Sequence, residues 1–228
     1  MTGITDHLGE IRARIALAAA RSGRPASAIT LVGVSKGHPF TAVQRCLAAG
    51  LRDFGENYLQ EALPKIDDCD RDAAWHFIGR IQANKTREIA THFDWTHTVT
   101  SARIAERLSA QRPHHGEPLQ VCIQLQPEGG TGPARIGCPR AEVPALATLI
   151  AGLPRLRLRG LMLLPHAGLD ADALRVEYRG AGALLAALRA DGHALDTLSM
   201  GMSDDFERAI EDGSTMIRVG TALFGRRP

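Results

Sequence analysis

The sequence lacks the features of exported, membrane-spanning and disulfide-bonded proteins. Asp6, Glu10, Arg12 and Arg14 interrupt the N-terminal segment, and no uninterrupted apolar stretch is long enough for export or for crossing a membrane. The four cysteines form no CxxC motif and show no pairing pattern, which is typical of reduced thiols. We therefore expect a cytoplasmic protein that binds no membrane.

Motifs of several other function classes are absent too. There is no P-loop and no Gly-x-Ser-x-Gly motif, and the nine histidines show no ligand spacing, so no metal site is expected. The 27 basic and 25 acidic residues leave a net charge of only +2, which does not favour nucleic-acid binding. The sequence therefore predicts neither a metal ion nor a nucleic acid as a partner.

What the sequence does contain is a regular alternation of short β-rich runs and amphipathic helical segments. No linker or change of composition divides the chain, so we expect one domain over residues 1–228. Leu8, Ile11, Ile15 and Ala18 share one face at helical spacing and predict a helix ahead of the first strand. The predicted strands are 30–35, 52–54, 74–78, 95–99, 119–125, 158–162, 196–199 and 215–219. The predicted helices between and after them are 39–50, 57–67, 82–92, 101–111, 139–152, 170–191 and 203–212.

Eight strands alternating with helices are typical of a (β/α)8 TIM barrel, an α/β fold. A doubly wound open sheet shows the same alternation and is the alternative. Three observations favour the barrel: no GxGxxG follows the first strand, the strand count is eight, and polar residues follow several different strands. In a barrel those strand ends meet at one mouth, where a small-molecule site would lie.

Lys36 directly follows the first predicted strand. Burying an ammonium group is costly, and desolvation favours the neutral amine, which is the form that attacks carbonyls. A lysine that simply extends into water explains this residue at least as well when it is considered alone.

The C-terminal part of the chain gives Lys36 a possible partner. Gly220 and Thr221 follow the last strand, where backbone N–H groups can approach an anion, and Ser203 stands where a helix would begin. A helix cap and a tight turn explain these residues equally well, and Asp204 and Asp205 would repel an anion unless they point outward. A carbonyl-seeking lysine together with a phosphate site suggests pyridoxal phosphate.

Other strand-end residues have two interpretations each. Arg218 needs an acceptor if it is buried, either Glu56 or the pyridine nitrogen of the cofactor. His76 suits a core histidine as well as a cofactor contact. Asn57 suits a helix cap, and Met162 suits the core.

Taken together, these motifs closely resemble the pyridoxal phosphate homeostasis proteins, single-domain relatives of the alanine racemase barrel. The resemblance covers about Leu31 to Gly225, in Val34-Ser-Lys36, Phe54-Gly-Glu-Asn-Tyr58, Trp75-His-Phe-Ile-Gly79 with Gln82 and Asn84-Lys85, Gly160-Leu-Met162 and Leu198-Ser-Met-Gly-Met-Ser203 onward. It implies a fold-type III barrel with pyridoxal phosphate on Lys36 as an internal aldimine, and Arg218 at the ring nitrogen. It implies phosphate contacts from Ser203, Gly220 and Thr221, and a pocket lined by Asn57, His76, Met162 and Ser199.

One segment, residues 126–138, departs from the family pattern. Relatives usually carry an asparagine and a Ser-Lys-Ser-Gly-like stretch after the fifth strand, whereas this chain has Gln126 and Pro-Ala-Arg135-Ile-Gly137. Arg135 would keep the charge of the family's lysine with a different geometry.

The resemblance also bears on whether the protein is an enzyme. Racemases of this type use two bases, the lysine and a tyrosine from a second domain of a partner subunit. This chain ends three residues after Gly225, and its only tyrosines are Tyr58 and Tyr178. We therefore expect a monomeric pyridoxal phosphate-binding protein with no catalytic residues and no strong activity, which takes part in homeostasis of the cofactor and releases it to amines or apo-enzymes. A weak amino-acid racemase and a cofactor-free class I aldolase are the alternatives.

Overall fold

Eight parallel strands close into a barrel in chain order in the computed structural model, which describes residues 3–69, 72–128 and 136–227. They are β1 (Thr30–Val34), β2 (Asp53–Glu56), β3 (Ala74–Phe77), β4 (Trp95–Val99), β5 (Leu119–Gln124), β6 (Leu156–Met162), β7 (Thr197–Ser199) and β8 (Met216–Val219). β1 pairs with both β2 and β8, with Leu31 opposite Ile217. The predicted (β/α)8 barrel is confirmed, and the open sheet is wrong.

Helices surround the barrel and a further helix, α1 (Ile4–Arg21), precedes it. The others are α2 (Phe40–Ala48), α3 (Leu59–Asp67), α4 (Thr86–His92), α5 (Ala102–Gln111), α6 (Val143–Ala151), α7 (Ala171–Ala190), α8 (Phe206–Glu211) and α9 (Thr221–Phe224). α1 buries its predicted apolar face and packs on α8 and α9. Within the described ranges, no helix has both the length and the apolar character needed to cross a membrane.

Strand burial explains why these runs of residues form a barrel. Val121, Cys122 and Ile123 of β5 are fully buried, as expected for a strand that is covered by the barrel interior on one face and by helices on the other. Such strands cannot stand at an open edge without exposing apolar side chains and unpaired backbone groups.

Several predicted boundaries are wrong at the polar ends of elements. β2 runs on to Glu56, because Phe54, Gly55 and Glu56 are all buried although glycine and glutamate favour strands weakly. α3 begins at Leu59 with Tyr58 as its N-cap, so Asn57 is not a helix cap. α8 begins at Phe206 rather than at Ser203, since Asp205 Oδ1 accepts a hydrogen bond from Met202 N at 2.6 Å and closes a turn ahead of the helix.

Candidate functional site

A cavity of about 280 Å³ lies at the C-terminal ends of the strands. It is lined by seven of the nine predicted site residues, namely Lys36, Asn57, Met162, Ser203, Arg218, Gly220 and Thr221. Val34, Ile78, Leu164 and Met202 supply apolar surface, and Asp204 and Arg227 complete the lining. Larger depressions of about 370 to 560 Å³ occur elsewhere on the described surface, but Lys36 lines none of them.

Lys36 lies at one side of this cavity, two residues beyond the end of β1. Partial burial lowers the pKa of its ammonium group, and the nearby charges of Arg227 and Arg218 lower it further, while Glu56 and Glu61 act in the opposite direction. A larger fraction of the amine is therefore neutral at a given pH than for a lysine in water. The neutral amine is the nucleophilic form.

The preceding residue is anchored by a buried ion pair. Glu56 Oε1 accepts hydrogen bonds from Ser35 Oγ at 2.6 Å and from Lys65 Nζ at 2.6 Å, and Lys65 Nζ also donates to the Ser35 carbonyl at 2.9 Å. The side chains of Glu56 and Lys65 are 0% and 9% exposed. This ion pair holds the end of β1, and thus the backbone from which Lys36 projects.

The loops after β7 and β8 meet at another side of the cavity. Ser203 Oγ accepts a hydrogen bond from Ala222 N at 3.3 Å, which joins the β7 loop to α9. Gly220 lies against β1, where an added Cβ would contact the Val34 carbonyl at 3.4 Å. Ser203, Gly220 and Thr221 thus bring a hydroxyl and glycine-containing backbone to one wall.

The two aspartates that follow Ser203 differ in direction. Asp205 turns away from the cavity, because its Oδ2 accepts a hydrogen bond from the Tyr178 hydroxyl at 2.7 Å and its Oδ1 is used by Met202 N. Asp204 is exposed and lines the cavity. Of the two aspartates, only Asp204 would therefore lie beside an anion in the cavity.

Asn57 provides a polar atom that is buried without a partner. Its Oδ1 has no hydrogen-bond partner among the described residues, although the side chain lines the cavity. The backbone carbonyl of Asn57 lies so close to Gly79 that a Cβ there would be 2.1 Å from it. Because a buried acceptor is costly to leave unpaired, Asn57 is suited to bind a ligand donor or water.

Arg218 is buried in β8 and has well-defined acceptors. One Nη atom donates to Ser199 Oγ at 2.7 Å and the other donates to the Leu163 carbonyl at 3.1 Å. The interpretation as an ion pair with Glu56 is wrong, since Glu56 pairs with Lys65. Burial lowers the pKa of Arg218, while Tyr178, Asp205 and Cys122 raise it.

His76 and Ser199, the other two predicted site residues, lie outside the cavity lining. Ser199 Oγ is 2.9 Å from His97 Nδ1, His97 Nε2 is 2.9 Å from His76 Nδ1, and His76 Nε2 is 3.0 Å from Asp53 Oδ1. With Arg218, these residues form a continuous hydrogen-bonded line that we call the interior array. Among the described residues, the hydrogen bonds of this array connect His76 and Ser199 to the cavity through Arg218.

Sequence reasoning missed two polar residues of this region, His97 and Arg227. His97 carries a comparable signal to His76, because it is a histidine inside a predicted strand, two residues after Trp95. Arg227 lines the cavity from a C-terminal segment without a motif, and Asp204, which the sequence already places next to Ser203, lines it too. Arg135, which was expected to replace the family's lysine, lies outside the described residues.

Comparisons with known proteins decide the family. The family pattern described as "Alanine racemase, N-terminal domain" matches residues 7–228. Over its full length the chain is 49% identical to the pyridoxal phosphate homeostasis protein of Pseudomonas aeruginosa and 44% identical to that of Escherichia coli K12, covering 97% and 98% of those proteins. The chain belongs to the pyridoxal phosphate homeostasis protein family.

Solved structures agree with this assignment. PipY of Synechococcus elongatus, determined with PLP bound, is 38% identical with a TM-score of 0.78, and the match covers 98% of this chain and 100% of PipY. PipY without PLP gives a TM-score of 0.82 with 94% and 100% coverage. Alanine racemase from Corynebacterium glutamicum shares the fold at 18% identity and a TM-score of 0.66, with 96% of this chain and 61% of the racemase covered.

Proposed function

We propose that this protein binds pyridoxal phosphate covalently through Lys36 and serves in homeostasis of that cofactor. The observation that carries the proposal is one cavity that has a lysine of lowered pKa at one side and the Ser203, Gly220 and Thr221 wall at another. An aldehyde and a phosphate on one small molecule need such a pair of partners. The family membership and the PLP bound to PipY support the same ligand.

The residues that line the cavity fit pyridoxal phosphate. The unpaired Asn57 Oδ1 offers an acceptor, and Met162, Val34 and Ile78 offer apolar surface for a ring. Ser203 can donate its hydroxyl proton to a phosphate oxygen while its oxygen still accepts from Ala222 N. The negative charge of Asp204 would repel the phosphate, and the positive charge of Arg227, which also lines the cavity, would offset this repulsion.

The bond-forming step requires only Lys36. Its neutral Nζ would be the nucleophile toward the aldehyde carbon, and both amine protons would leave with the aldehyde oxygen as water when the C–N double bond forms. The reverse step, or attack by another amine, releases the group again. This reversibility suits a protein that keeps the concentration of a reactive aldehyde low.

We propose that any catalytic activity is weak. The bound cofactor supplies an electron sink for carbanions, and that sink is weaker when an arginine leaves the ring nitrogen unprotonated. Of the two arginines in the cavity lining, Arg218 is the buried one and Arg227 is exposed, so we propose that Arg218 faces the ring. Neither tyrosine is among the described lining residues, because Tyr178 is buried against Asp205 and Tyr58 is 58% exposed elsewhere.

The remaining elements of the proposal concern the whole protein. We propose that residues 1–228 act as a single domain, that the protein is a cytoplasmic monomer, and that PLP-dependent apo-enzymes are recipients of the cofactor.

A weak amino-acid racemase is the second candidate, supported by the shared fold with alanine racemase. Incubation of the loaded protein with L-alanine and assay of D-alanine distinguishes them, since turnover at ordinary enzyme rates of about 1 per second or more would favour the racemase.

The central test is an absorption spectrum of purified protein after addition of pyridoxal phosphate. The wild type should give a yellow band that borohydride converts into a stable adduct, found by peptide mass spectrometry on Lys36. Lys36→Ala should lose the adduct, whereas Lys85→Ala, which removes a partly exposed lysine outside the cavity, should keep it. An adduct on another lysine, or no band in the wild type, would contradict the proposal.

A further inference from the structure

The interior array extends from the cavity to the opposite end of the barrel. Its members are Asp53, His76, His97, Ser199 and Arg218. Asp53 is the first residue of β2, its side chain is 29% exposed, and it lines a separate depression beside α1. Because β4 and β7 are not neighbours, the contact between His97 and Ser199 crosses the barrel interior.

Its two ends determine the direction of every hydrogen bond. Arg218 has only donors, so Ser199 Oγ accepts from it and the serine hydroxyl proton has His97 Nδ1 as its acceptor. A neutral His97 then carries its proton on Nε2 and donates to His76 Nδ1. His76 in turn carries its proton on Nε2 and donates to the carboxylate of Asp53. Ser199, His97 and His76 are thus each used once as a donor and once as an acceptor between the two charged ends.

The other arrangements leave groups unpaired. The reverse direction needs a protonated Asp53, and it makes Ser199 accept from both Arg218 and His97 while its own proton has no acceptor along the array. A protonated His97 would place a second buried cation next to Arg218, and burial, His76 and Arg218 all lower the pKa of His97 well below its usual value. The guanidinium of Arg218 and the carboxylate of Asp53 therefore select the tautomers together, one from each end.

We propose that Asp53 is a positioning residue for Arg218, acting from the far end of the barrel through the tautomers of His76 and His97. When Asp53 is ionised, Ser199 donates its proton to His97 and its oxygen accepts the hydrogen bond from Arg218. This bond fixes the orientation of the guanidinium, so that its other N–H groups can contact a ligand in the cavity. The inference deepens the proposed function, because the group that Arg218 would face is the ring of pyridoxal phosphate.

The first measurement uses ligand-free protein and is independent of cofactor binding. Long-range proton–nitrogen NMR spectra of the wild type at neutral pH should show His76 and His97 both neutral with the proton on Nε2, and restricted rotation of the Arg218 guanidinium. Asp53→Ala should mix the His76 tautomers and speed Arg218 rotation. Asp53→Asn, which keeps an acceptor oxygen, should lie between these, and Asp191→Asn, at the exposed end of α7, should match the wild type.

The second measurement is the dissociation constant for pyridoxal phosphate and the position of the bound absorption band. Asp53→Ala should bind about two- to tenfold more weakly, the equivalent of one hydrogen bond, with a displaced band. A wild-type His97 protonated or carrying its proton on Nδ1 would overturn the proposal, as would Arg218 rotation that is unaffected in both Asp53 variants. A wild type that binds no pyridoxal phosphate would instead overturn the proposed function, and the ligand-free spectra would still judge the array.

Discussion

The barrel buries charge in two different ways, in the Glu56–Lys65 pair and in the interior array. In the pair, opposite charges are in direct contact at 2.6 Å and are almost completely buried. In the array, the charges of Arg218 and Asp53 are separated by a serine and two histidines. The pair therefore depends on a Coulomb attraction between neighbours, and the array depends on each neutral group having the correct proton position.

This difference determines what a single substitution does. Removing one member of a contact pair leaves an uncompensated buried charge, which is costly. Removing a neutral member of the array leaves unpaired donors and acceptors, which costs less but disturbs groups at a distance. The pair should act mainly on stability, and the array should act on stability and on the cavity.

Lys65→Met should have the largest effect on stability. It leaves the fully buried Glu56 without its cation, and we expect a loss of about 3–5 kcal/mol in the free energy of unfolding, measured by urea denaturation. Lys85→Met is the matched control, because the side chains of Lys85 and Glu88 are partly exposed and 3.9 Å apart, and it should cost less than about 1 kcal/mol. Adding Glu56→Gln to Lys65→Met should recover part of the loss. Equal costs for the two lysine variants would refute this view of the pair.

Ser199→Ala should rank second. It removes one of the two acceptors of Arg218 and the donor to His97, at a fully buried position, and we expect a loss of about 1–3 kcal/mol in the free energy of unfolding together with weaker pyridoxal phosphate binding. Ser214→Ala is the control, because Ser214 is equally buried and the described acceptors of its hydroxyl are backbone carbonyls. After this substitution the carbonyls of Leu198 and Met216 still accept hydrogen bonds from backbone N–H groups. The control variant should leave cofactor binding unchanged. Identical binding by both variants would show that the array does not reach the cavity.

The pH dependence of stability should have opposite signs for the two clusters. The pKa of His97 is lowered on folding, so the unfolded chain binds more protons and stability falls as pH decreases below about 6.5. Burial raises the pKa of Glu56 in spite of the hydrogen bonds from Lys65 and Ser35, so its contribution is present below about 4.5 and is lost as pH rises. Each group changes the slope by at most about 1.4 kcal/mol per pH unit.

Variants separate these two contributions. We would measure the free energy of unfolding of ligand-free protein by urea denaturation between about pH 5 and pH 7, the range around the ordinary histidine pKa. This free energy should change less with pH for His97→Gln than for the wild type. With the measurement extended down to about pH 4, Glu56→Gln should give a steeper rise of stability with pH above about 4.5 than the wild type, because it removes the contribution that is lost as pH rises. A steeper profile for His97→Gln would mean that this histidine is charged in the folded protein.

The fold was largely predictable, and the partners of buried polar residues were not. The strands of the barrel follow from apolar runs such as 119–125, because only strands covered on both faces have this pattern. The cavity residues followed from strand ends, because the fold brings those ends together. The partner of Glu56 depends on where α3 begins, and the contact of His97 with Ser199 depends on strand tilt across the barrel. Neither the residue at which α3 begins nor the tilt of the strands can be predicted from the local sequence.

Arg227→Gln should have the smallest effect and concerns an exposed charge, in contrast to both buried clusters. After burial, Arg227 is the largest cause of the lowered Lys36 pKa, so its removal should move the pH midpoint of Lys36 acetylation by acetic anhydride to higher pH. Arg226→Gln is the matched control, since Arg226 is equally exposed but does not line the cavity. The difference between the two variants should shrink in about 1 M salt, where the screening length is near 3 Å. A difference that persists at high salt would mean that Arg227 acts on Lys36 through contact with Gly37, against which its side chain packs, rather than through its charge.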